Sequence, residues 1–388
     1  MTWSTRYEGS LLHTFSTPPL QLVKGEGCHV VDSDGRRYLD FLAGIAVNAL
    51  GHAHPAFVEA VSRQAATLAH VSNLFATEPQ IRLAERLQSL TGAGEQGRVY
   101  LANSGTEANE AAVKLARRTG RPRILSLEGS FHGRTLGALS VTGKAALRDP
   151  FEPLLPGVEF LDSTVEALER AIGDDVAALI VEPIKGEAGV VELPAGYLAA
   201  ARELTARHGA LLILDEIQTG VARTGEWFHF QSEGIVPDAI TLAKGLGGGV
   251  PIGAMITFGA ASDLITVGQH GSTFGGNALA SAAALAVLDT VEAEGLVANA
   301  RLRGEQLRDG IRAIGSPLVG ELRGRGLLIG IGLTAPVAPA VLAAARNAGL
   351  IVNAPNDRTI RLAPPLIIGD AEIAEFLDRF TRALESVS

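Results

Sequence analysis

The sequence predicts an α/β fold: a large domain on a mostly parallel seven-stranded sheet, followed by a smaller α+β domain. Three observations carry that reading. From about residue 55 to about residue 280, short apolar runs alternate with longer helical patterns, the order that builds a parallel sheet with helices on both faces. The short runs are apolar at successive positions, as strands covered on both faces must be. Glycine is frequent, 45 of 388 residues, without a collagen period, which fits many tight strand–helix turns.

Taken in order, the expected strands are 99–102, 123–127, 158–161, 177–181, 210–214, 239–242 and 252–258, all β-branched or leucine-rich. Helical patterns lie between them, among them 106–118 and 197–208, the latter closed by Gly209 in the usual stop position. After about residue 276 two long Ala/Leu-rich helices are expected, 278–293 and 297–314. Strands at 326–333, 350–353 and 359–362 and a final helix at 371–386 follow. The expected organisation is an N-terminal segment 1–50 that joins the small domain, a large domain 51–285 and a C-terminal small domain 286–388.

Hydrophobic residues make up 47 % and charged residues 19 % of the chain, enough apolar material for a large core. The net charge is −9 and the basic residues are scattered, which argues against nucleic acid or an anionic membrane as partner. No apolar stretch reaches the ~18 residues of a membrane span, and the polar start, MTWSTRYEGS, lacks signal-peptide order. The single cysteine, Cys28, has no internal partner for a disulfide, as in a reducing compartment. A cytoplasmic enzyme is expected.

Chemistry is concentrated at three points. Ser104-Gly105-Thr106-Glu107 has capping-box spacing and opens a helix after a strand. The Gly105 and Thr106 amides would sit at the positive dipole end, a ready phosphate site, although an ordinary capped helix carries the same signature. Asp215, with Gln218 just beyond, ends a very apolar strand, and a carboxylate there faces the ligand crevice of an open α/β sheet. Lys244 ends another apolar run, where burial can lower its pKa and make it a nucleophilic amine. Phosphate cradle, strand-end acid and strand-end lysine, in that order, are the parts pyridoxal phosphate needs. Phe131 is placed between them to stack on its ring. Gly324–Gly330 and Gly137–Lys144 miss the nucleotide-binding spacings. His52 and His54 lack a third ligand and read as the turn before Pro55, so no metal is expected.

Several segments resemble the class III pyridoxal-phosphate aminotransferases of fold type I. They include Asn103-Ser-Gly-Thr-Glu-Ala-Asn-Glu110, Phe131-His-Gly-Arg-Thr135, Val181-Glu-Pro-Ile-Lys-Gly-Glu-Ala-Gly189, Leu214-Asp-Glu-Ile-Gln-Thr-Gly220, Leu242-Ala-Lys244 and Ile360-Arg-Leu-Ala-Pro-Pro365. They fall in the family's order along nearly the whole chain. The resemblance implies that Lys244 binds the cofactor aldehyde and shuttles protons, and that Asp215 pairs with the ring nitrogen. It further implies that Gln218 approaches the ring hydroxyl, Phe131 stacks, and Gly105 and Thr106 hold the phosphate. Thr273 would reach the phosphate of a neighbouring subunit, making a homodimer with a shared site. Arg134 and Ser272 match the family's substrate contacts. Glu187 and Arg361 match a pair in which the glutamate neutralises the arginine in one half-reaction and swings aside in the other; a static salt bridge is the alternative. The likeness is strongest to the branch that moves the δ-amino group of N2-acetylornithine to 2-oxoglutarate in arginine biosynthesis, giving glutamate. Gly44 stands where ornithine-specific members carry a tyrosine. Succinylornithine or succinyl-diaminopimelate as donor, an aminomutase, and a silent cofactor-binding paralogue are the alternatives.

Overall fold

The computed structural model describes residues 2–387. Its centre is a seven-stranded sheet in the order Arg98–Ala102, Gly253–Thr257, Ala239–Leu242, Leu211–Asp215, Val176–Val181, Arg123–Leu127, Val158–Leu161. Gly253–Thr257 runs antiparallel to both its neighbours, and the remaining pairings are parallel. Val176–Val181, Ala239–Leu242 and Gly253–Thr257 are buried at every position, which explains why they lack the two-residue alternation of a half-exposed strand. Each fully buried Val, Leu or Ile contributes on the order of 1.5–3 kcal/mol. Helix Gly105–Arg117 lays Ala108, Ala111, Ala112, Leu115 and Ala116 against this sheet. The small side chains let it approach closely. Helix Tyr197–His208 stops at Gly209, whose φ of 64° gives the left-handed cap.

A second, antiparallel sheet runs Val319–Arg325, Leu328–Leu333, Thr359–Leu362, Asn353–Asn356. A third joins Leu22–Glu26, His29–Asp32 and Arg37–Asp40 to Leu350–Ile351, so the two ends of the chain share one sheet. The closing helix Asp370–Glu385 buries Ile373, Phe376, Phe380 and Leu384, an apolar stripe at helical spacing. Phe376 stacks on Phe41 with ring centroids 4.6 Å apart.

The structure departs from expectation in several places, two of them in the small domain. The strand expected at 350–353 is two: Leu350–Ile351 pairs with Arg37–Asp40, while Asn353–Asn356 pairs with Thr359–Leu362. A change of direction at buried Val352 lets adjacent residues serve two sheets. Val319–Arg325, with the sequence VGELRGR, went unforeseen because it is only partly buried and has no apolar run. No helix among the described residues is long and apolar enough to cross a membrane.

Candidate active site

A cavity of about 440 Å³ opens beyond the carboxyl ends of the central strands, lined by Gly105, Thr106, Phe131, Asp215, Gln218 and Lys244. Strand ends are where ligands sit in open α/β sheets, because the loops diverge there and leave a crevice.

The strand Arg98–Ala102 leads into helix Gly105–Arg117 through Asn103 and Ser104. Ser104 Oγ accepts from the Glu107 amide at 3.3 Å, capping the helix. The reciprocal half of the expected capping box differs: Glu107 accepts from the amide of Asn103 at 2.6 Å, one residue before the cap. The Gly105 and Thr106 amides have no intrahelical acceptor and stand at the positive end of the dipole. The Thr106 hydroxyl is committed elsewhere, accepting from the Arg134 and Thr135 amides at 3.2 Å each. Gly133 permits that contact: its φ is 144°, and a Cβ there would lie 2.2 Å from Thr106 Oγ1.

Asp215 is buried, and Oδ2 accepts from His132 Nδ1 at 2.7 Å and Asn109 Nδ2 at 2.8 Å. Its Oδ1 accepts from the Ile217 amide at 3.0 Å. Asn109 is oriented in turn by the Thr241 hydroxyl at 2.8 Å. Burial pulls the His132 pKa down, but the Asp215 hydrogen bond and charge, with Glu182 nearby, outweigh it and leave it raised. Glu182 accepts from the Phe131 amide at 2.8 Å, and burial chiefly pushes its carboxyl up to about 7. His132, Asn109 and Glu182 escaped the sequence reading. Each lies inside a quoted segment, but nothing in the linear order marks it as Asp215's neighbour.

Lys244 follows Ala239–Leu242 with a φ of 41°, a left-handed backbone rare for a side chain of this kind. Such conformations cost on the order of 1–3 kcal/mol and cluster at functional sites. Desolvation lowers its pKa to about 8, with Glu187 opposing and Arg361 assisting.

Arg361 is 1 % exposed. Its Nη1 donates to Glu187 Oε1 at 2.5 Å and to Gln218 Oε1 at 3.1 Å. Its Nε and Nη2 both donate to Asn353 Oδ1, at 3.1 and 2.8 Å. Burial pushes the Glu187 carboxyl up, but the Arg361 charge and hydrogen bond outweigh it and hold it low. Asn353 also escaped the sequence reading, because only the turn between its strand and Thr359–Leu362 brings it opposite Arg361.

The structure thus brings Gly105, Thr106, Phe131, Arg134, Glu187, Asp215, Gln218 and Lys244 to one cavity, with Arg361 directly behind Glu187 and Gln218. The Arg134 guanidinium lies 5.7 Å from the Phe131 ring centroid. Two expected residues stand apart. Ser272 Oγ is held by Asn103 Nδ2 at 3.1 Å beside the cavity wall, and Thr273 is exposed. Neither lines the cavity of its own chain.

The donor set suits pyridoxal phosphate. A helix N-terminus offers two free amides to the phosphate, and Gly105 lets Ile217 pack closely against that turn, since a Cβ there would sit 2.7 Å from Ile217 Cδ1. A buried, triply hydrogen-bonded carboxylate, an aromatic ring and a desolvated amine supply the rest.

Comparison with known proteins agrees. The family model for class-III aminotransferases matches residues 13–384. The chain is 55 % identical to an acetylornithine aminotransferase of Mycolicibacterium smegmatis, covering 100 % of this chain and 99 % of that protein. It is 54 % identical to one of Streptomyces coelicolor, covering 99 % and 95 %. Among solved structures, ornithine aminotransferase of Toxoplasma gondii superposes with a TM-score of 0.94 at 34 % identity, covering 99 % and 94 %. N-acetylornithine aminotransferase of Stenotrophomonas maltophilia does so with a TM-score of 0.85 at 37 % identity, covering 99 % and 98 %. With a full-length family match and relatives of this identity, the chain belongs to the class-III aminotransferases, pyridoxal-phosphate-dependent transaminases.

Proposed function

We propose that this transaminase moves the δ-amino group of N2-acetylornithine to 2-oxoglutarate, releasing N-acetylglutamate semialdehyde and glutamate. The observation that carries the reading is the Glu187–Arg361 pair beside Lys244. A two-substrate enzyme must accept a donor with no carboxylate next to the reacting amine, then glutamate, which has one. A buried guanidinium cannot stand unpaired without a cost of several kcal/mol, so Glu187 covers it for the donor and yields to the glutamate α-carboxylate. The identity of the relatives named above supports the acetylated donor. Gly44 does so too: it has a φ of 65° in the turn leading to Val47 at the cavity wall, and brings no side chain.

When bound, pyridoxal phosphate supplies an aldehyde that takes up the amino group and a ring that withdraws electrons from the substrate carbon. The Gly105 and Thr106 amides hold its phosphate, and Phe131 packs against its ring. Asp215, oriented by hydrogen bonds from His132 and Asn109, would pair with the protonated ring nitrogen. Lys244 Nζ, with a pKa near 8, accepts a proton from the substrate carbon as an amine and releases it as an ammonium close to neutral pH. Arg134 binds the carboxylate remote from the reacting amine, which both substrates carry.

Single-turnover spectroscopy of the separate half-reactions, with acylated donors and with glutamate, tests this. Arg361→Ala is expected to cut the specificity constant for glutamate by roughly ten- to a hundredfold, the loss of one charge-assisted contact, while largely sparing acetylornithine. Arg134→Ala is expected to damage both halves. Equal losses in Arg361→Ala, or a stronger response to succinylated than to acetylated donors, would sink the reading.

A further inference from the structure

Arg361 has two edges, and they are paired with different kinds of acceptor. The front edge, Nη1, faces a charged group that can leave, Glu187, and the amide oxygen of Gln218. The rear edge, Nε and Nη2, converges on the single oxygen of Asn353. Asn353 and Arg361 are direct partners across the antiparallel pair Asn353–Asn356 and Thr359–Leu362, so their side chains share one face of that sheet. The amide oxygen must be the atom that points at Arg361, because a guanidinium has only donors.

We propose that Asn353 is a specificity-determining positioning residue: a neutral clamp that holds the Arg361 guanidinium in place without cancelling its charge. The inference rests on the reading of Arg361 given above. An aspartate at 353 would make the same two hydrogen bonds and bring a permanent countercharge. Arg361 would then be neutralised whether or not Glu187 was present, and an incoming α-carboxylate would meet a second fixed carboxylate. With asparagine, the one charged hydrogen-bond partner of Arg361 among the described residues is Glu187, whose side chain is 28 % exposed. Lys244 is close enough to interact with both Glu187 and Arg361 and has the sign of Arg361. The backbone around Glu187 is anchored: its carbonyl accepts from Lys144 Nζ at 2.7 Å, and the Ala188 carbonyl accepts from Asn356 Nδ2 at 3.2 Å. The exchange therefore requires only the Glu187 side chain to turn, while Asn353 keeps Arg361 aimed at the site it vacates.

The test compares holoenzymes of wild type, Asn353→Asp, Asn353→Ala and Arg361→Ala. Binding of glutarate, an unreactive dicarboxylate, is titrated by cofactor absorbance, and each half-reaction is followed in single turnover. Asn353→Asp keeps shape and hydrogen bonds, so a purely structural role predicts no change. The proposal predicts glutarate and glutamate affinities about tenfold weaker or worse, the scale of one charge-assisted contact. The loss on acetylornithine should be at least about fivefold smaller. Asn353→Ala, which frees the guanidinium but keeps its charge, should weaken glutarate less than Asn353→Asp does. Wild-type glutamate affinity in Asn353→Asp, or equal losses in both halves, overturns the role of Asn353. If Arg361→Ala itself proves unselective, the reading of Arg361 fails first; if Arg361→Ala is selective and Asn353→Asp is not, only the clamp fails.

Discussion

Lys244 shows how a few ångströms of surroundings convert an ordinary side chain into a reagent. In water a lysine amine is almost entirely protonated at pH 8, and an ammonium has no lone pair with which to attack an aldehyde. Burial removes the solvation that favours the charge, and Arg361 adds like-charge repulsion, so the amine is half free near pH 8. The sign follows: the reactive form accumulates as pH rises through that value. The rate at which cofactor-free protein takes up pyridoxal phosphate is expected to rise with a midpoint near pH 8. Arg361→Ala, which removes a positive neighbour, should move the midpoint up, and Glu187→Ala, which removes a negative one, should move it down. Stopped-flow absorbance across pH 6–10 measures this, and a midpoint that stays above pH 10 would show that the amine is solvated. At this scale Lys244 and Asp215 were legible because each ends an apolar strand. Their supports were not. His132 reaches Asp215 from 83 residues away and Asn109 from 106, separations that carry no local signature.

At the scale of elements, the phosphate cradle depends on the strand beneath it. Gly253 opens the strand Gly253–Thr257, and a Cβ there would lie 2.2 Å from the carbonyl oxygen of Ser104 and 2.8 Å from its carbonyl carbon. Those are backbone atoms of the residue that caps helix Gly105–Arg117, so they cannot rotate away. Gly253→Ala should therefore displace the cap, lower stability by about 1–3 kcal/mol, and weaken cofactor binding. Denaturant melts of cofactor-free protein, read beside the cofactor dissociation constant, check both effects; unchanged cofactor affinity would mean the cap and the cradle are not coupled. The strands of the central sheet were foreseen almost to the residue, since burial on both faces forces continuous apolar runs. Val319–Arg325 and the N-terminal strands were not, since half-exposed strands tolerate charge and tertiary pairing alone defines them.

At the scale of the molecule, the loop after Asp215 binds the central sheet to the strand that carries Arg361. Arg223, 2 % exposed, donates to the carbonyls of Leu327 and Pro364 at 3.2 and 2.5 Å, and burial lowers its pKa to about 9. Hydrogen bonds to two carbonyls replace the water this cation has lost. Val267 and Phe274 are exposed on the segment that holds Ser272 and Thr273, and Leu74 and Phe75 are exposed on the adjoining segment, whose Asn73 donates to the Ser272 and Gly275 carbonyls at 2.9 and 3.0 Å. Apolar exposure of that kind marks an association surface. The resemblance in sequence implies a homodimer in which Thr273 completes the phosphate site of the other subunit, and that expectation can be tested. Thr273→Ala should then raise the cofactor dissociation constant by about tenfold with the dimer intact by light scattering. A monomer with full cofactor occupancy and activity would contradict the shared site.

What the sequence determined by itself is the framework: the order of strands and helices, the capped helix start at Ser104, and the strand ends that present Asp215 and Lys244. These follow from near-neighbour physics, in which the spacing of apolar residues decides the element and the element's end decides where a polar side chain emerges. Only the tertiary structure decided the electrostatic setting of those groups. The triply bonded carboxylate of Asp215, the lowered pKa of Lys244 and the two-edged pairing of Arg361 depend on residues far apart in sequence, such as His132 at 83 and Asn109 at 106 positions from Asp215, and Glu187 at 174 from Arg361. Asn353 beside Arg361 is only eight positions distant, yet meets it only once the hairpin has formed. Charge interactions and desolvation depend on distance in space and on the water excluded from it, and neither quantity is written in the linear order of residues.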